Sequence, residues 1–341
     1  MKRVGILFGQ ERSFPLALVE RINREGGEVV AEPVQVGGVG LDSPRRYDLI
    51  LDRISQDIPF YRAILKKSVA DGTIVVNNPF WWSADDKFFN NVLAHGIGVA
   101  VPKTVILPSN QHPPDTTSES MSNLVFPLEW DEMFQHIGFP AYFKPYSGGG
   151  WKHVYRVTNP DEFFSAYRDS GQHVMTLQEE IVFDQYFRCY AIGRKHVHVM
   201  RYDPRLPFHE RYVQNPAPIE PALYARIYGD CLKLTRALGY DFDTLEFAVR
   251  DGIPYAIDFL NPAPDAAVES IGEENFRWVV EHSATWLIER VAEGREPVAD
   301  YRWQTFLAGG EAVAPPKKAN GRARRPAAPR EPSAPRPRRE A

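Results

Sequence analysis

The sequence predicts an α/β protein in which a small parallel-sheet N-terminal domain precedes a mixed α+β module of two subdomains. Three observations predict this. Short apolar runs alternate with stretches of helical spacing over the first 80 residues, the rhythm of βαβ units. From residue 139 to residue 259, strand signals come in pairs joined by glycine turns. The chain has 341 residues, 43% hydrophobic and 25% charged, enough to bury a sizeable core in more than one domain.

The elements follow in order. Residues 4–8 are a short apolar strand, 14–24 carry helical spacing, and 28–36 return to β-branched residues. Residues 47–54 (YDLILDRI) and 73–77 (TIVVN) are strands flanking a helix at 59–70. A helix at 83–94 has Ser83 as its N-cap, Asp85 and Asp86 in its first turn, and carries Lys87. A strand at 99–107 leads into 108–123, rich in Pro, Ser, Thr, Asn and Gln and read as a mobile surface loop. A helix near 130–135, a strand at 141–145, a glycine loop, a helix at 160–168 and strands at 174–181, 187–192 and 196–201 come next. Residues 220–238 form a helix with Leu223, Ile227, Cys231, Leu234 and Leu238 on one face and Gly239 past its end, which makes Cys231 a core residue. Strands at 244–249 and 254–259 are joined by the turn Arg250-Asp251-Gly252, a hairpin signal. The last helix runs over 274–292. The expected domains are 1–95, 96–190, 191–305 and a tail at 306–341.

Composition narrows the function. No run of eighteen apolar residues occurs, and the opening MKRVGILFGQERSFP lacks the apolar core and small-residue cleavage site of a signal peptide. With only Cys189 and Cys231, neither a disulfide framework nor a four-cysteine zinc site is available, so a cytoplasmic setting without membrane contact is expected. The last 32 residues carry nine Lys/Arg and three Glu, a charge of +6, leaving −10 on the body. That Pro/Ala/Arg-rich tail cannot pack a core, and it offers at most weak contact to nucleic acid, which the acidic body argues against as a substrate.

Three segments carry chemistry. In FPAYFKPYSGGGWKHVYRV, residues 139–157, Lys144 ends a strand and Gly148, Gly149 and Gly150 follow; glycines let backbone N–H groups approach phosphate oxygens and the lysine supplies a point charge. Taken alone, such a run is a turn, and it fits neither GxxxxGK[ST] nor GxGxxG. In the second segment, Glu246 on one strand faces Asp258 on the next, with Asn261 beyond it: hard oxygen ligands suited to Mg²⁺ that also holds phosphates. In the third, LQEEIVFDQYFRCYAIG at 177–193, an acidic pair closes one strand and Arg188 sits in the next, the parts of an adenine, ribose and phosphoryl site. Arg201 and Arg211 could clamp a substrate carboxylate. His153, His196, His198 and His209 are not spaced as a zinc set.

The order Lys87 in SADDKFF, Lys144 in YFKP, the glycine loop, LQEE, Arg188, Glu246, Asp258 and Asn261 resembles the ATP-grasp superfamily over residues 1–295. The resemblance extends to the small α/β domain ahead of the ATP-grasp module in glutathione synthetase, D-alanine:D-alanine ligase and the glutamate-adding carboxylate-amine ligases, and is nearest to a bacterial group marked by IDFLNPAPDA. It implies that Lys87 and Lys144 contact ATP phosphates, that Gly148 to Gly150 close over the triphosphate, and that Gln178 and Glu179 lie beside the adenine. It further implies Arg188 near the transferred phosphoryl group, and Glu246, Asp258 and Asn261 holding Mg²⁺, two ions in family members, with Mn²⁺ as an alternative. The chain departs from the pattern in three places. Two residues lie between Asp258 and Asn261 where the family has one, so either a bulge restores the geometry or Asp258 is displaced. Tyr186 stands where a ribose-binding acid is usual, making Asp184 the substitute. Trp151 directly follows the glycines, to pack on the nucleotide or on the small domain.

The resemblance implies an ATP- and Mg²⁺-dependent ligase joining a small-molecule or peptide carboxylate to an amine or thiol through an acyl phosphate, with homo-oligomerisation left open. The alternatives are an ATP-grasp small-molecule kinase, which releases no free phosphate, and a non-catalytic ATP-binding adaptor, which binds without turnover.

Overall fold

A computed structural model of the chain describes residues 1–82, 86–213 and 216–294. Ser83, Asp85 and the basic tail therefore lie outside the described residues.

Three four-stranded sheets organise these residues. The first contains β1 (Lys2–Leu7), β2 (Val29–Pro33), β3 (Leu49–Asp52) and β4 (Ile74–Val76), all parallel in the order β2-β1-β3-β4. Parallel strands need crossovers, and the helices α1 (Ser13–Glu25) and α2 (Pro59–Ala70) supply two of them. The parallel N-terminal sheet is thus as the sequence predicts.

Two helices connect it to the rest: α3 (Pro79–Trp82), which the sequence does not announce, and α4 (Lys87–Gly96). Helix α4 starts later than expected because Asp86 is its N-cap, accepting a hydrogen bond from the Phe89 amide at 2.7 Å. Lys87 therefore opens the helix instead of riding its second turn.

The second sheet is antiparallel, in the order β5-β8-β6-β7, from β5 (Thr104–Leu107), β6 (Ala141–Pro145), β7 (Tyr155–Val157) and β8 (Met175–Glu179), with α5 (Trp130–Ile137) and α6 (Pro160–Asp169) on one side. The strand expected over 99–107 is split by Pro102, which cannot donate to a ladder. Before it, the Ala100 carbonyl accepts from Ala256 in the third sheet, and after it β5 pairs with β8.

The third sheet, β10-β9-β11-β12, is also antiparallel and comprises β9 (Gln185–Ile192), β10 (His196–Arg201), β11 (Phe242–Arg250) and β12 (Ile253–Asp258). The β11–β12 hairpin turns through Asp251 and Gly252, both at positive φ as a tight hairpin requires. One face packs on α7 (Pro221–Leu238), burying Leu223, Ile227, Cys231, Leu234 and Leu238 as the periodicity predicts, and Gly239 closes the helix at φ 80°. The other face shares its core with the N-terminal sheet, through α8 (Val268–Ile271) and α9 (Glu273–Glu293), which packs on α1.

Candidate nucleotide and metal site

The site forms where the end of β6, the start of α4 and the β9–β11–β12 face converge. Lys144 leaves β6 and donates to Gln178 Oε1 at 2.8 Å; Gln178 Nε2 in turn donates to Thr104 Oγ1 at 2.9 Å. The Lys87 amide donates to the Tyr146 carbonyl at 2.8 Å, which ties α4 to the chain just beyond Lys144. From there the Lys87 ammonium reaches Asp258 and lies 3.0 Å from each of its carboxylate oxygens.

The Asp258 carboxylate faces the cleft because β12 carries a bulge. Regular pairing from Arg250↔Ile253 to Phe247↔Ala256 would set Ile257 opposite Glu246, but the register shifts there and Asp258 takes that place. Glu246 accepts from Arg188 Nη1 at 2.7 Å and from the Tyr186 hydroxyl at 2.6 Å. Asn261 joins through Thr244, whose hydroxyl accepts from Asn261 Nδ2 at 3.0 Å and from Arg188 Nη2 at 3.3 Å.

Each cation expected to meet phosphate thus sits beside a carboxylate expected to meet metal, apart from Lys144, which rests on Gln178. Burial pushes the Asp258 carboxyl up, but Lys87, Lys144 and Arg188 outweigh it and hold it below the usual carboxylate range, with 45% of the side chain still open to the cleft. Burial lowers the Arg188 guanidinium and Glu246 more than reverses that, so it stays charged. The donor set fits Mg²⁺: two carboxylates in register and one amide, all oxygen donors. Among the described residues, no group of three or more His, Cys, Asp or Glu converges as a metal site. The gap between Lys87, Lys144 and Asp258 measures about 10 Å³, room for about one water.

Other expected residues are placed less uniformly. Gly148 and Gly150 lie at positive φ in an open loop between β6 and β7, and an added Cβ on any of the three glycines meets nothing. Trp151, next in that loop, is 62% exposed. The Gln178 side chain serves Lys144, Glu179 pairs with Arg250 at 2.8 Å, and Asp184 is exposed on the surface. Arg211 donates to the Leu206 carbonyl at 3.0 Å and to the Tyr202 hydroxyl at 3.5 Å, and the Tyr202 ring lies 5.6 Å from the Arg188 guanidinium.

Arg201 is not brought to this group. It pairs across the sheet with Phe187 while Met200 pairs with Arg188, and alternation puts it on the opposite face. There it lies over the Phe187 ring and donates to the Ala217 and Pro218 carbonyls ahead of α7. A larger cavity of about 280 Å³ lies between α2 and the 34–47 segment of the N-terminal domain, and no expected site residue lines it. Its cations are already engaged: Arg45 with Gly72, Arg46 with Gln35, and Lys67 with Ser43 and Asp71.

Three residues of the cleft carry no motif in the sequence: Tyr186, a partner of Glu246; Thr244; and Asn90, beside Lys87. Spacing held a signal for each: Tyr186 and Thr244 lie two residues from Arg188 and Glu246 on their strands, and Asn90 lies three from Lys87 on a helix.

No family model matches the chain. The mitochondrial methylcrotonoyl-CoA carboxylase subunit alpha of Glycine max is 28% identical over 192 residues, covering 52% of this chain and 24% of that protein. The chain thus spans about a quarter of the length of that curated relative. Among solved structures, D-alanine–D-alanine ligase from Bacillus anthracis superposes with a TM-score of 0.59 at 16% identity, over 91% of this chain and 100% of that one. The ATP-grasp ligase PsnB, in complex with a minimal precursor, Mg and ADP, superposes with a TM-score of 0.55 at 14% identity, over 84% of this chain and 98% of that one. The chain has the ATP-grasp fold, with the parallel N-terminal sheet ahead of the two-sheet module.

Proposed function

We propose that the chain is an ATP- and Mg²⁺-dependent ligase that activates a substrate carboxylate as an acyl phosphate and transfers the acyl group to an amine or thiol. The observation that carries this reading is the meeting of Lys87, Lys144 and Arg188 with Asp258 and Glu246 around one cleft. A site of that composition can exchange partners: the cations take phosphate oxygens while the carboxylates take a divalent ion. Bound Mg²⁺ at Glu246, Asp258 and Asn261 would neutralise phosphate charge. The lysines stabilise negative charge on the transferring phosphoryl, and Arg188 lies beside it.

In the first step a carboxylate oxygen attacks the γ-phosphorus, the bond to the β-phosphate oxygen breaks, and ADP leaves. In the second, the amine nitrogen or thiol sulfur attacks the acyl carbon, inorganic phosphate departs with its electron pair, and the nucleophile releases a proton. Arg211 reaches the Arg188 end of the cleft through Tyr202 and suits a substrate carboxylate there. The PsnB and D-alanine ligase likenesses support peptides or amino acids as the substrate classes to screen first.

Calorimetry of Mg·ATP tests the reading. Wild type is expected to bind, and Lys144→Met to bind at least tenfold more weakly, the order of a lost charge-assisted hydrogen bond. Phosphate release on adding acids and amines then identifies a ligase; a phosphoester without free phosphate makes it a kinase, and binding without turnover an adaptor.

The same lysine predicts a pH dependence. Burial pushes the Lys144 ammonium down to about 8, Lys87 adds to this, and Asp258 and Glu246 oppose it. An arriving phosphate favours the charged form, so ATP binding between about pH 8 and 9 takes up a proton and affinity falls as pH rises. Titrations in buffers of different ionisation enthalpy measure the uptake, and Lys144→Met is expected to abolish it. Uptake that persists in Lys144→Met would assign it to another group.

A further inference from the structure

Asn90 has a buried side-chain amide with nothing to bond to. It is 2% exposed, and neither its Nδ2 nor its Oδ1 has a hydrogen-bond partner. It stands one helical turn after Lys87 on α4 and lines the same gap as Lys87, Lys144 and Asp258. Its neighbour Asn91, by contrast, is anchored by donating Nδ2 to the Lys87 carbonyl at 2.8 Å. Burying an amide without a partner is unfavourable, and Phe259 and Leu260 line the gap beside it, so a leucine at position 90 would have apolar neighbours. An unsatisfied amide at such a place gains its partner when something polar enters the gap.

The chemistry of the gap selects that partner. Two ammonium groups and the Asp258 carboxylate line it, which leaves one positive charge in excess and favours an anion, and the Asn90 amide N–H is a donor without an acceptor. We propose that Asn90 is a nucleotide-binding residue whose amide nitrogen donates to a non-bridging phosphate oxygen held between Lys87 and Lys144. The assignment rests on the reading of this cleft as the Mg·ATP site. It adds a neutral donor that fixes the orientation of the phosphate, where the two lysines supply charge without direction.

A structural role and a binding role for Asn90 differ in sign. Asn90→Leu, with the same number of side-chain heavy atoms, removes the unsatisfied amide, so the thermal midpoint of the free protein is expected to rise while affinity for Mg·ATP falls about tenfold. Asn90→Asp sets a third carboxylate near Asp258 and is expected to weaken ATP further than the leucine does. Asn90→Ala serves as a second neutral variant should leucine fail to fold, with the same loss of affinity expected. Wild-type affinity in a folded neutral variant would overturn the assignment while leaving the cleft reading intact. A lowered midpoint with unchanged affinity would make Asn90 structural and overturn it equally. Absence of ATP binding by wild type in the same titration would sink the cleft reading and this assignment with it.

Discussion

Asp258→Asn is expected to lower Mg²⁺-dependent turnover by about 10³-fold while leaving the fold nearly as stable as wild type. The two expectations have different causes. In turnover, on the proposed reading, the substitution would remove a charged ligand from a set of two carboxylates and an amide, and it deprives Lys87 of the carboxylate it contacts at 3.0 Å. In stability, the Lys87–Asp258 pair is worth little, because nearly half of the Asp258 side chain is exposed and such pairs contribute about 0–1 kcal/mol. The sign with pH follows from the depressed carboxyl: what stability the pair gives is present above the ordinary carboxylate range and is lost as pH falls through the lower folded value. Steady-state phosphate release over a Mg²⁺ series, with urea unfolding in parallel, measures both. Wild-type turnover in Asp258→Asn would mean that Asp258 holds no metal, and would turn attention to Glu246 and Asn261 alone.

Why was so much of this cleft legible in the chain, and why not all of it? Lys144 and the glycine loop are local features: a strand ending in lysine followed by residues that tolerate positive φ needs no distant partner to be read. The β11–β12 hairpin is equally local, since Asp251-Gly252 names its own turn. The Asp258–Asn261 spacing was ambiguous because a bulge adds one residue to a strand without marking the sequence, and the register shift at Glu246 resolves it. Arg201 shows the limit of reading residues one at a time. The turn after Ile192 pairs it with His196, and that parity alone decides that Arg188 and Arg201 lie on opposite faces. Asn90 reads from sequence as an ordinary polar residue, because the gap it lines is closed by Lys144 and by Ile257 to Leu260, which are far from it along the chain. Helix α4 illustrates the same point at its start, where the sequence puts the cap at Ser83 with Asp86 in the first turn, and Asp86 itself holds the cap.

Arg53→Met is expected to reduce the free energy of unfolding by about 3–5 kcal/mol. Arg53 lies just past β3 and is 2% exposed along its side chain. It donates twice to Glu11, at 3.0 and 2.6 Å, and once to the Pro264 carbonyl at 2.6 Å, while its guanidinium lies 4.9 Å from the Phe14 ring and 5.3 Å from the Phe242 ring. It therefore ties the N-terminal sheet to the segment that follows Asn261. Methionine fills much of the volume but leaves the partly buried Glu11 carboxylate with only the Ala266 amide as donor, at 3.3 Å, and takes the Arg53 donor from the Pro264 carbonyl, and an uncompensated charge there costs more than a pair returns. Arg53→Lys keeps the charge and loses the fork, so it should fall between methionine and wild type. Because Pro264 lies three residues from Asn261, loosening it is also expected to weaken Mg·ATP binding at a distance from any nucleotide contact. Urea unfolding of the three proteins, with a Glu11→Gln cycle to isolate the pair, gives the energies. A loss below about 1 kcal/mol for Arg53→Met would mean that desolvation cancels the ion pair, and that apolar packing of α1 on α9 holds the two domains together without it.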